Sequence, residues 1–331
     1  MDDQCRFMDF VERVLLLHNS PNLYKFHLRV KEYRYRNSYR LSSWISAAIK
    51  HHVQELDLDI IAGSITDLPR HLFTSTDLVV LKFRRFQFDW SPLTVILPRL
   101  KVLHLCSLSF LDEGMLHKFF SGCPALEELE IDPLRRLNAL CICSSSLKKL
   151  TVYNEVRPFV RYKLVIKAPS LEILSLYDES SIVYEVDELP ALVKAIFHVG
   201  RVSYKCSDDY RNAVVQMLAK ASNLQHLRID DPTLKAGKRS SVCLWSGAPE
   251  NVPTCLSLSL EKIEFDAFYL RQDKMLVRYL LENAMVLKKF TLHSWSQNKK
   301  IKTELQRSKK RFSSTCQIEF HHKLSSMKWL F

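Results

Sequence analysis

Val53-Gln54-Glu55-Leu56-Asp57-Leu58 decides how this chain folds. Successive side chains of a strand point to opposite faces, so Leu56 and Leu58 share one face while Glu55 and Asp57 share the other. One such strand cannot bury its apolar face alone. The same phrase (apolar, two variable residues, apolar, one variable, apolar) recurs along the chain. It reads Leu23-Phe26-Leu28, Val53-Leu56-Leu58, Leu78-Leu81-Phe83, Leu100-Leu103-Leu105, Leu126-Leu129-Ile131 and Leu147-Leu150-Val152. It continues as Leu171-Leu174-Leu176, Leu192-Ala195-Phe197, Leu224-Leu227-Ile229, Leu260-Ile263-Phe265 and Leu287-Phe290-Leu292.

Consecutive phrases begin between 21 residues apart (Leu126 to Leu147) and 36 apart (Leu224 to Leu260). Most steps match the ~20–29-residue period of leucine-rich repeats. Stacked in parallel, the strands make a continuous core, each covered by the return segment that follows it. The expected fold is α/β: an irregular leucine-rich-repeat solenoid, with parallel strands on a concave face and helices and loops on the convex face. It is irregular because the Asn or Cys that follows the strand in regular repeats is replaced by Ile61, Phe86, Leu108, Leu134, Glu155, Glu179 or Pro232. Several strands are led in by proline, as in Leu97-Pro98-Arg99, Cys123-Pro124, Ala168-Pro169-Ser170 and Leu189-Pro190-Ala191.

Some returns are long enough for helices. Phe7, Phe10, Val11, Val14 and Leu15 recur at spacings of three and four and predict a helix capping the N-terminal end. Tyr210, Val214, Met217, Leu218 and Ala221 predict another behind Asp208-Asp209, and Leu276, Leu280, Ala284 and Leu287 a third. Residues 231–255, rich in Pro, Ser and Gly, are expected to be a connecting loop. The expected organisation is a repeat region with its capping helix over 1–230, that loop over 231–255, and a last module over 256–331 continuing the solenoid.

The bulk composition agrees. With 331 residues, 47% of them apolar and 25% charged, the chain has the make-up of a folded protein. No apolar run reaches the ~18 residues of a membrane span, and Met1-Asp2-Asp3-Gln4 does not open a secretory signal. No membrane partner is therefore expected. Nine cysteines without framework spacing read as reduced, mostly buried thiols of a protein in the nucleus or cytoplasm.

The residues also carry a family resemblance. Phe7 to Leu28, Trp44-Ile45, Val53 to Leu58, and Phe119-Phe120-Ser121-Gly122-Cys123-Pro124-Ala125-Leu126-Glu127-Glu128-Leu129 resemble the repeat region of plant F-box proteins. Trp245, Pro249, Val252-Pro253, Cys255, Leu260-Glu261, Tyr279 to Ala284, Leu287 to Phe290 and Ser313 to Phe320 resemble the FBD domain, the last stretch matching its final strand. The resemblance implies a repeat array ending in an FBD module, acting as the substrate-recognition part of a cullin-type ubiquitin ligase. An F-box, which docks on the Skp adaptor, would end just before Asp9, and only eight residues precede it. Skp adaptor and cullin are therefore expected partners only if an F-box lies upstream.

Catalytic motifs are absent from the sequence: no His-Glu-x-x-His, Gly-x-Ser-x-Gly or phosphate-binding loop occurs. Cys141 and Cys143 stand too close for a zinc pair and read as small residues packed at a repeat turn. His51-His52 and His321-His322 are adjacent pairs facing different ways. No catalytic residue, cofactor or metal ligand is expected, and the chain is not expected to be an enzyme.

The net charge of +12 raises nucleic acid as a partner. Residues 29–40 interleave Arg29, Lys31, Arg34, Arg36 and Arg40 with tyrosines, and 299–311 are basic. The strand faces argue otherwise. Outward positions hold Lys82, Arg84, Arg228 and six other basic residues against Glu55, Asp57, Asp59, Glu128, Glu130, Asp132 and three other acidic ones, so the face is neutral. That balance suits a protein partner rather than a polyanion. The expected binding set is Glu55, Asp57, Asp59, Lys82, Arg84, Glu128, Glu130, Asp132, Tyr153, Tyr177 and Arg228, holding an unidentified protein substrate. The alternatives are a scaffold or decoy outside the ligase and, less favoured, a basic nucleic-acid-binding protein.

Overall fold

The computed structural model describes residues 3–33, 38–62, 68–85, 94–106, 113–132, 139–154, 162–178, 182–199, 208–230, 251–266, 274–294 and 316–322. They belong to two compact units, Met1–Glu155 and Val156–Phe331.

The first unit runs α1 (Asp3–Leu16), β1 (Lys25–Tyr33), α2 (Ser38–Lys50), β2 (Glu55–Ala62), a 3-10 helix (Arg70–Thr74), β3 (Val80–Arg84), β4 (Val102–Cys106), α3 (Glu113–Gly122), β5 (Glu128–Asp132), β6 (Ala139–Cys143) and β7 (Lys149–Asn154). Strands β1, β2, β3, β4, β5 and β7 lie side by side in that order, all parallel. Their register aligns Phe26, Leu56, Leu81, Leu103, Leu129 and Leu150 in one column and Leu28, Leu58, Phe83, Leu105, Ile131 and Val152 in the next. Apart from Phe26, every member of both columns is buried.

The second unit holds β8 (Tyr162–Lys167), β9 (Ile173–Asp178), β10 (Ile182–Val186), β11 (Lys194–Val199), α4 (Asp208–Lys220), β12 (His226–Asp230), α5 (Thr254–Leu258), β13 (Lys262–Asp266), α6 (Lys274–Asn283), β14 (Lys289–Ser294) and β15 (Gln317–His322). Here β9, β11, β12, β13, β14 and β15 are parallel neighbours, with Leu174, Ala195, Leu227, Ile263, Phe290 and Ile318 in one column. All eleven phrases read in the sequence are strands of these sheets, and β15 adds a twelfth. The fold is an α/β leucine-rich-repeat array.

The proline lead-ins have a local cause. The amides of Leu100, Leu126, Leu171 and Leu192 donate to the carbonyls of Leu97, Cys123, Ala168 and Leu189, three residues back, at 3.1–3.2 Å. Pro98, Pro124, Pro169 and Pro190 each sit second in that turn, where the ring pre-sets φ and no N–H is needed. Two successive amides at the strand start then share one carbonyl of the repeat before. Gln54 and Glu55 both donate to Tyr24, Val79 and Val80 to Gln54, Lys101 and Val102 to Val79, and Glu127 and Glu128 to Lys101. The second unit repeats the device at Glu172, Val193, Gln225 and Glu261. Backbone groups thereby bind repeat to repeat where no asparagine ladder exists.

Three expectations need correction. The returns contain strands as well as helices and loops: β8 and β10 pair in parallel apart from the main sheet, and β6 packs near α3. Leu140 and Ile142 of β6, and Leu164 and Ile166 of β8, alternate with exposed residues at the strand period, a signal short enough to be hidden by the stronger phrase beside it. The predicted N-terminal helix forms, but it buries Met8 and Val11 while Phe10 and Val14 are exposed. On the same helix Asp9 bonds Arg40 of α2 at 3.1 Å. Finally, α5 starts inside the segment expected to be loop; residues 231–250 lie outside those described. The helices over Asp208–Lys220 and Lys274–Asn283 bury Val214, Met217 and Leu218, and Leu276 and Leu280; Ala221, Ala284 and Leu287 of the expected stripes are buried too, but beyond the helix ends.

Gly122 ends α3 against the strand lead-in, and its carbonyl accepts from the Leu97 amide at 2.8 Å. A Cβ there would stand 2.1 Å from the Val95 carbonyl oxygen, a backbone atom that cannot swing aside. Gly122→Ala is expected to cost about 1–3 kcal/mol as an overpacking substitution, read as a lowered urea midpoint. An unchanged midpoint would mean that the lead-in does not press on α3.

Candidate functional site

The sheet's other face carries three outward positions per strand, and their chemistry is fixed by register. In the first unit, Lys25 on β1 meets Glu55 on β2 at 2.9 Å. Arg29 Nε donates to Asp59 at 2.8 Å, and Arg85 Nε to the same carboxylate at 2.7 Å. Arg85 reaches back because its backbone is left-handed, with φ 59°, and its amide is held by the Cys106 carbonyl at 2.9 Å. Asp59 is only 3% exposed. As a residue for direct contact with a partner it therefore needs correcting: it sits beneath the surface and positions two exposed arginines. Asp57 faces the Arg84 guanidinium at 3.9 Å, and Lys82 stands in register between Asp57 and His104.

The β4–β5 pair forms the densest cluster. His104 Nε2 lies 3.0 Å from Glu128 and its Nδ1 lies 3.4 Å from Glu130. Lys149 on β7 reaches Glu128 at 3.1 Å, and the Cys106 thiol donates to Glu130 at 3.6 Å. Burial pushes the His104 imidazole below its ordinary pKa, partly opposed by Glu130 and Glu128. Burial also raises the Glu128 carboxyl, but Lys149 and His104 outweigh it and leave it below the usual range. Tyr153 stands half-buried at the end of β7. The Asp132 side chain lies outside those described.

In the second unit Arg228 is the hub. Its Nε donates to Asp230 at 2.9 Å and one terminal nitrogen to Asp266 at 2.9 Å, with Glu264 at 3.9 Å. His198 approaches Asp230 at 3.7 Å, and the half-buried Tyr177 ring lies 5.2 Å from the His198 ring. Burial raises the Asp230 carboxyl, yet His198 and Arg228 together bring it below its ordinary value. Glu264 is likewise pushed up by burial and brought down further by Lys262 and Arg228. On the last strands Lys289 pairs with Glu319 at 2.8 Å, and the His293 and His321 rings stack 5.0 Å apart.

The neutral face is therefore a set of ion pairs made within each sheet. Sequence reasoning located its residues but missed their pairing, and it missed His104, Cys106, Arg85 and His198. His104 occupies the variable position inside the strand phrase, and Cys106 and His198 the outward position just past its last anchor, so the phrase itself was the signal that could have found these three.

Elsewhere the sequence candidates separate. Of the basic run over 29–40, Arg29 and Arg40 are both engaged by carboxylates; residues 34–37 and 299–311 lie outside those described. His51 binds the Ser20 carbonyl at 3.0 Å and His52 the Asp77 carboxylate at 2.9 Å. Cys123 and Cys255 are buried, and burial pushes their thiols up to about 12 and about 11. Cys141 and Cys143 are exposed on β6 rather than packed at a turn, with their sulfurs 3.3 Å apart. No helix among the described residues is long and apolar enough to cross a membrane.

Comparison with known proteins agrees with this architecture. A family model described as FBD-associated F-box protein At5g56370, LRR repeats, matches residues 41–195, and a model described as FBD matches 248–292. The chain is similar to the putative F-box/FBD/LRR-repeat protein At1g16940 of Arabidopsis thaliana, at 28% identity over 86% of this chain and 73% of that protein. It is similar also to the F-box/FBD/LRR-repeat protein At5g22660 of the same plant, at 28% identity over 96% and 85%. A third, the F-box/LRR-repeat protein At4g14096, is 30% identical over 69% of this chain and 50% of its own length.

Two outcomes follow from the pairing. Asp59→Asn should cost about 1–3 kcal/mol, because it strips a buried acceptor from two arginines, whereas Arg29→Ala, removing one exposed partner, should stay within about 1 kcal/mol. Equal losses in urea titration would contradict the burial asymmetry. Arg228→Ala should lower stability by about 1 kcal/mol near neutral pH, a figure discounted for the arginine's partial exposure. The Asp230 and Glu264 carboxyls are held below their ordinary values, so this contribution is full above about pH 4 and is lost as pH falls below it. A parent–variant gap that persists at about pH 3 would refute the assignment.

Proposed function

The chain belongs to the plant F-box/FBD/LRR-repeat family, and from that membership we propose that it is a protein-binding repeat module that holds a substrate on the open face of its sheets. One observation carries the reading: the outward side chains are fixed in place before any partner arrives. Glu55, Glu128 and Arg228 are each tied to neighbours on adjacent strands, so a partner meets an ordered charge pattern and little side-chain entropy is lost on binding. Preordered charges of both signs select a partner by complementarity and reject wrong ones. Tyr153 and Tyr177, half-buried among them, are the aromatic anchors. Binding rather than catalysis is the work of such a face.

Within this reading the module is the substrate-recognition part of a cullin-type ubiquitin ligase, acting in the nucleus or cytoplasm and marking its partner for degradation. Skp adaptor and cullin would be recruited through an F-box, not through the open face. Co-precipitation with the Skp adaptor separates this role from that of a scaffold or decoy, which would capture the same substrate without it. The pairing of Arg29 and Arg40 with carboxylates weighs against nucleic acid at that segment, and flat salt dependence on generic RNA would agree.

Charge reversal at Glu128 and Glu130 would break the His104–Lys149 cluster and confuse binding with stability. Two cleaner variants are Lys82→Ala combined with Tyr153→Ala, and separately Tyr177→Ala, since removing the lysine sets no like charge against Asp57. Each is expected to weaken partner binding by at least about 2 kcal/mol, roughly thirtyfold, with the urea midpoint near the parent's. Quantitative capture followed by titration of the recovered partner measures it. Unaltered affinity in both variants would place recognition elsewhere.

A further inference from the structure

We propose that Cys141 and Cys143 form a chelating dithiol site for a trivalent arsenical. The site lies on β6, outside the parallel sheet whose open face is read as the partner surface, and does not depend on that reading.

β6 reads Ala139-Leu140-Cys141-Ile142-Cys143. The strand period of two turns Leu140 and Ile142 to one side and both cysteines to the other. Leu140 and Ile142 are buried, whereas both thiols are exposed. The chain just past the strand is held as well, because Ser146 Oγ donates to the Leu126 carbonyl at 2.9 Å. The anchored strand thus presents two reduced sulfurs side by side, in contact at 3.3 Å. A ligand that bridges them finds both donors already in place and spends little entropy on gathering them. Cys106, Cys123, Cys255 and Cys316 are buried, so among the described residues this is the one pair of thiols open to a ligand.

The separation decides what bridges them. With bonds of about 2.3 Å to sulfur, two sulfurs stand roughly 4.6 Å apart on a linear ion, about 3.8 Å on a tetrahedral one, and about 3.3 Å on a pyramidal centre whose bonds meet near a right angle. The observed 3.3 Å meets the last of these with β6 left as it is. A linear ion such as Cu(I), soft enough for thiolates, would force the sulfurs well apart. A tetrahedral ion needs further donors, and among the described residues the one cluster of three His, Cys, Asp or Glu able to hold a metal ion is His104, Glu128 and Glu130, which includes neither cysteine. Trivalent arsenic is soft and pyramidal and takes three substituents, so an arsenical carrying one organic group is completed by two thiols. A direct disulfide fits less well. Residues two apart on a strand hold their Cα atoms about 6.4–6.8 Å apart, the far end of the disulfide range, so joining the sulfurs would bend β6 against its buried Leu140 and Ile142. Binding of the arsenical is an exchange without oxidation. On a reagent R–As=O the arsenic–oxygen bond breaks and two arsenic–sulfur bonds form. The two thiol protons leave with the oxygen as one water, and arsenic stays trivalent.

Titration of the reduced full chain with phenylarsine oxide, in excess glutathione as a competing monothiol, tests the site. Intact mass and the count of reactive thiols are the readouts. The parent should take up one phenylarsenic group and lose two reactive thiols, and dimercaptopropanol, a competing dithiol, should restore both. Cys141→Ser and Cys143→Ser should each bind at least about 100-fold more weakly, because one sulfur forgoes the effective concentration of the second. Replacing Cys5, Cys206 and Cys243 together by Ser should leave the uptake intact. Circular dichroism checks that each variant keeps its strands; both tested cysteines are exposed, so serine is tolerated there. The proposal is overturned if the parent holds no arsenical against glutathione, if either single variant binds as tightly as the parent, or if uptake vanishes with Cys5, Cys206 and Cys243.

Discussion

Parallel register is the constraint from which the rest follows. Each strand carries two inward anchors two residues apart, and a slip of one residue would turn both to solvent and bring charges such as Asp57 into the core. No strand can meet this demand alone. Leu56 and Leu58 are buried because β1 and β3 flank them in matching register, and those neighbours depend on the next ones in the same way. The helices and short strands of the returns complete the burial without setting it.

The open face inherits its order from that arrangement. Once Leu129 and Ile131 are aligned with Leu103 and Leu105, Glu130 must stand opposite His104 and Cys106 opposite Asp132. Their separation is the ~4.8 Å strand spacing whatever their charges. Like charges at such positions would cost stability, and alternation of sign between β1, β2 and β3 avoids it: Lys25 and Arg29, then Glu55 and Asp59, then Lys82 and Arg84. The same alternation spends most of the face's charge internally. What is left for a partner is a relief of fixed hydrogen-bonding heads and half-buried tyrosines rather than a field of one sign.

Much of this was legible in the sequence, for a physical reason. Inward anchors leave a period of two that any eleven-fold recurrence exposes, so the main strands and the outward positions between their anchors could be read directly. Pairing could not, because it depends on how far each side chain reaches once its strand is placed. Asp59 looked like a surface carboxylate until Arg29 and Arg85 closed over it, and Arg85 could do so only through a left-handed residue that no motif announces. Strands β6, β8 and β10 carry only a few alternating apolar residues each, as at Leu140-Cys141-Ile142, too little to stand out from a loop. The first helix was read at the right place, but of the stripe expected inward only Val11 is buried, while Phe7, Phe10 and Val14 are exposed. Spacings of three and four fit Phe10 and Val14 as well as Met8 and Val11, and only packing against the neighbouring elements selects the second pair.

The irregular array also explains how its relatives can differ so widely. Regular repeats fix their turns with a side chain, and that side chain must then be kept. Here the join between repeats is made by main-chain groups: paired amides such as Glu127 and Glu128 on the Lys101 carbonyl, and turns pre-set by Pro98, Pro124, Pro169 and Pro190. Backbone bonds make no demand on residue type, so apart from the anchors, the prolines and a few side chains such as Ser146, Asn223 and Ser259 that bond a carbonyl of the repeat before, the junctions leave the sequence free to change. Relatives at 28% identity across most of this chain are what such a frame permits. The freedom is greatest on the open face, where a new partner can be met by changing His104, Tyr153 or Arg228 without disturbing a single repeat junction.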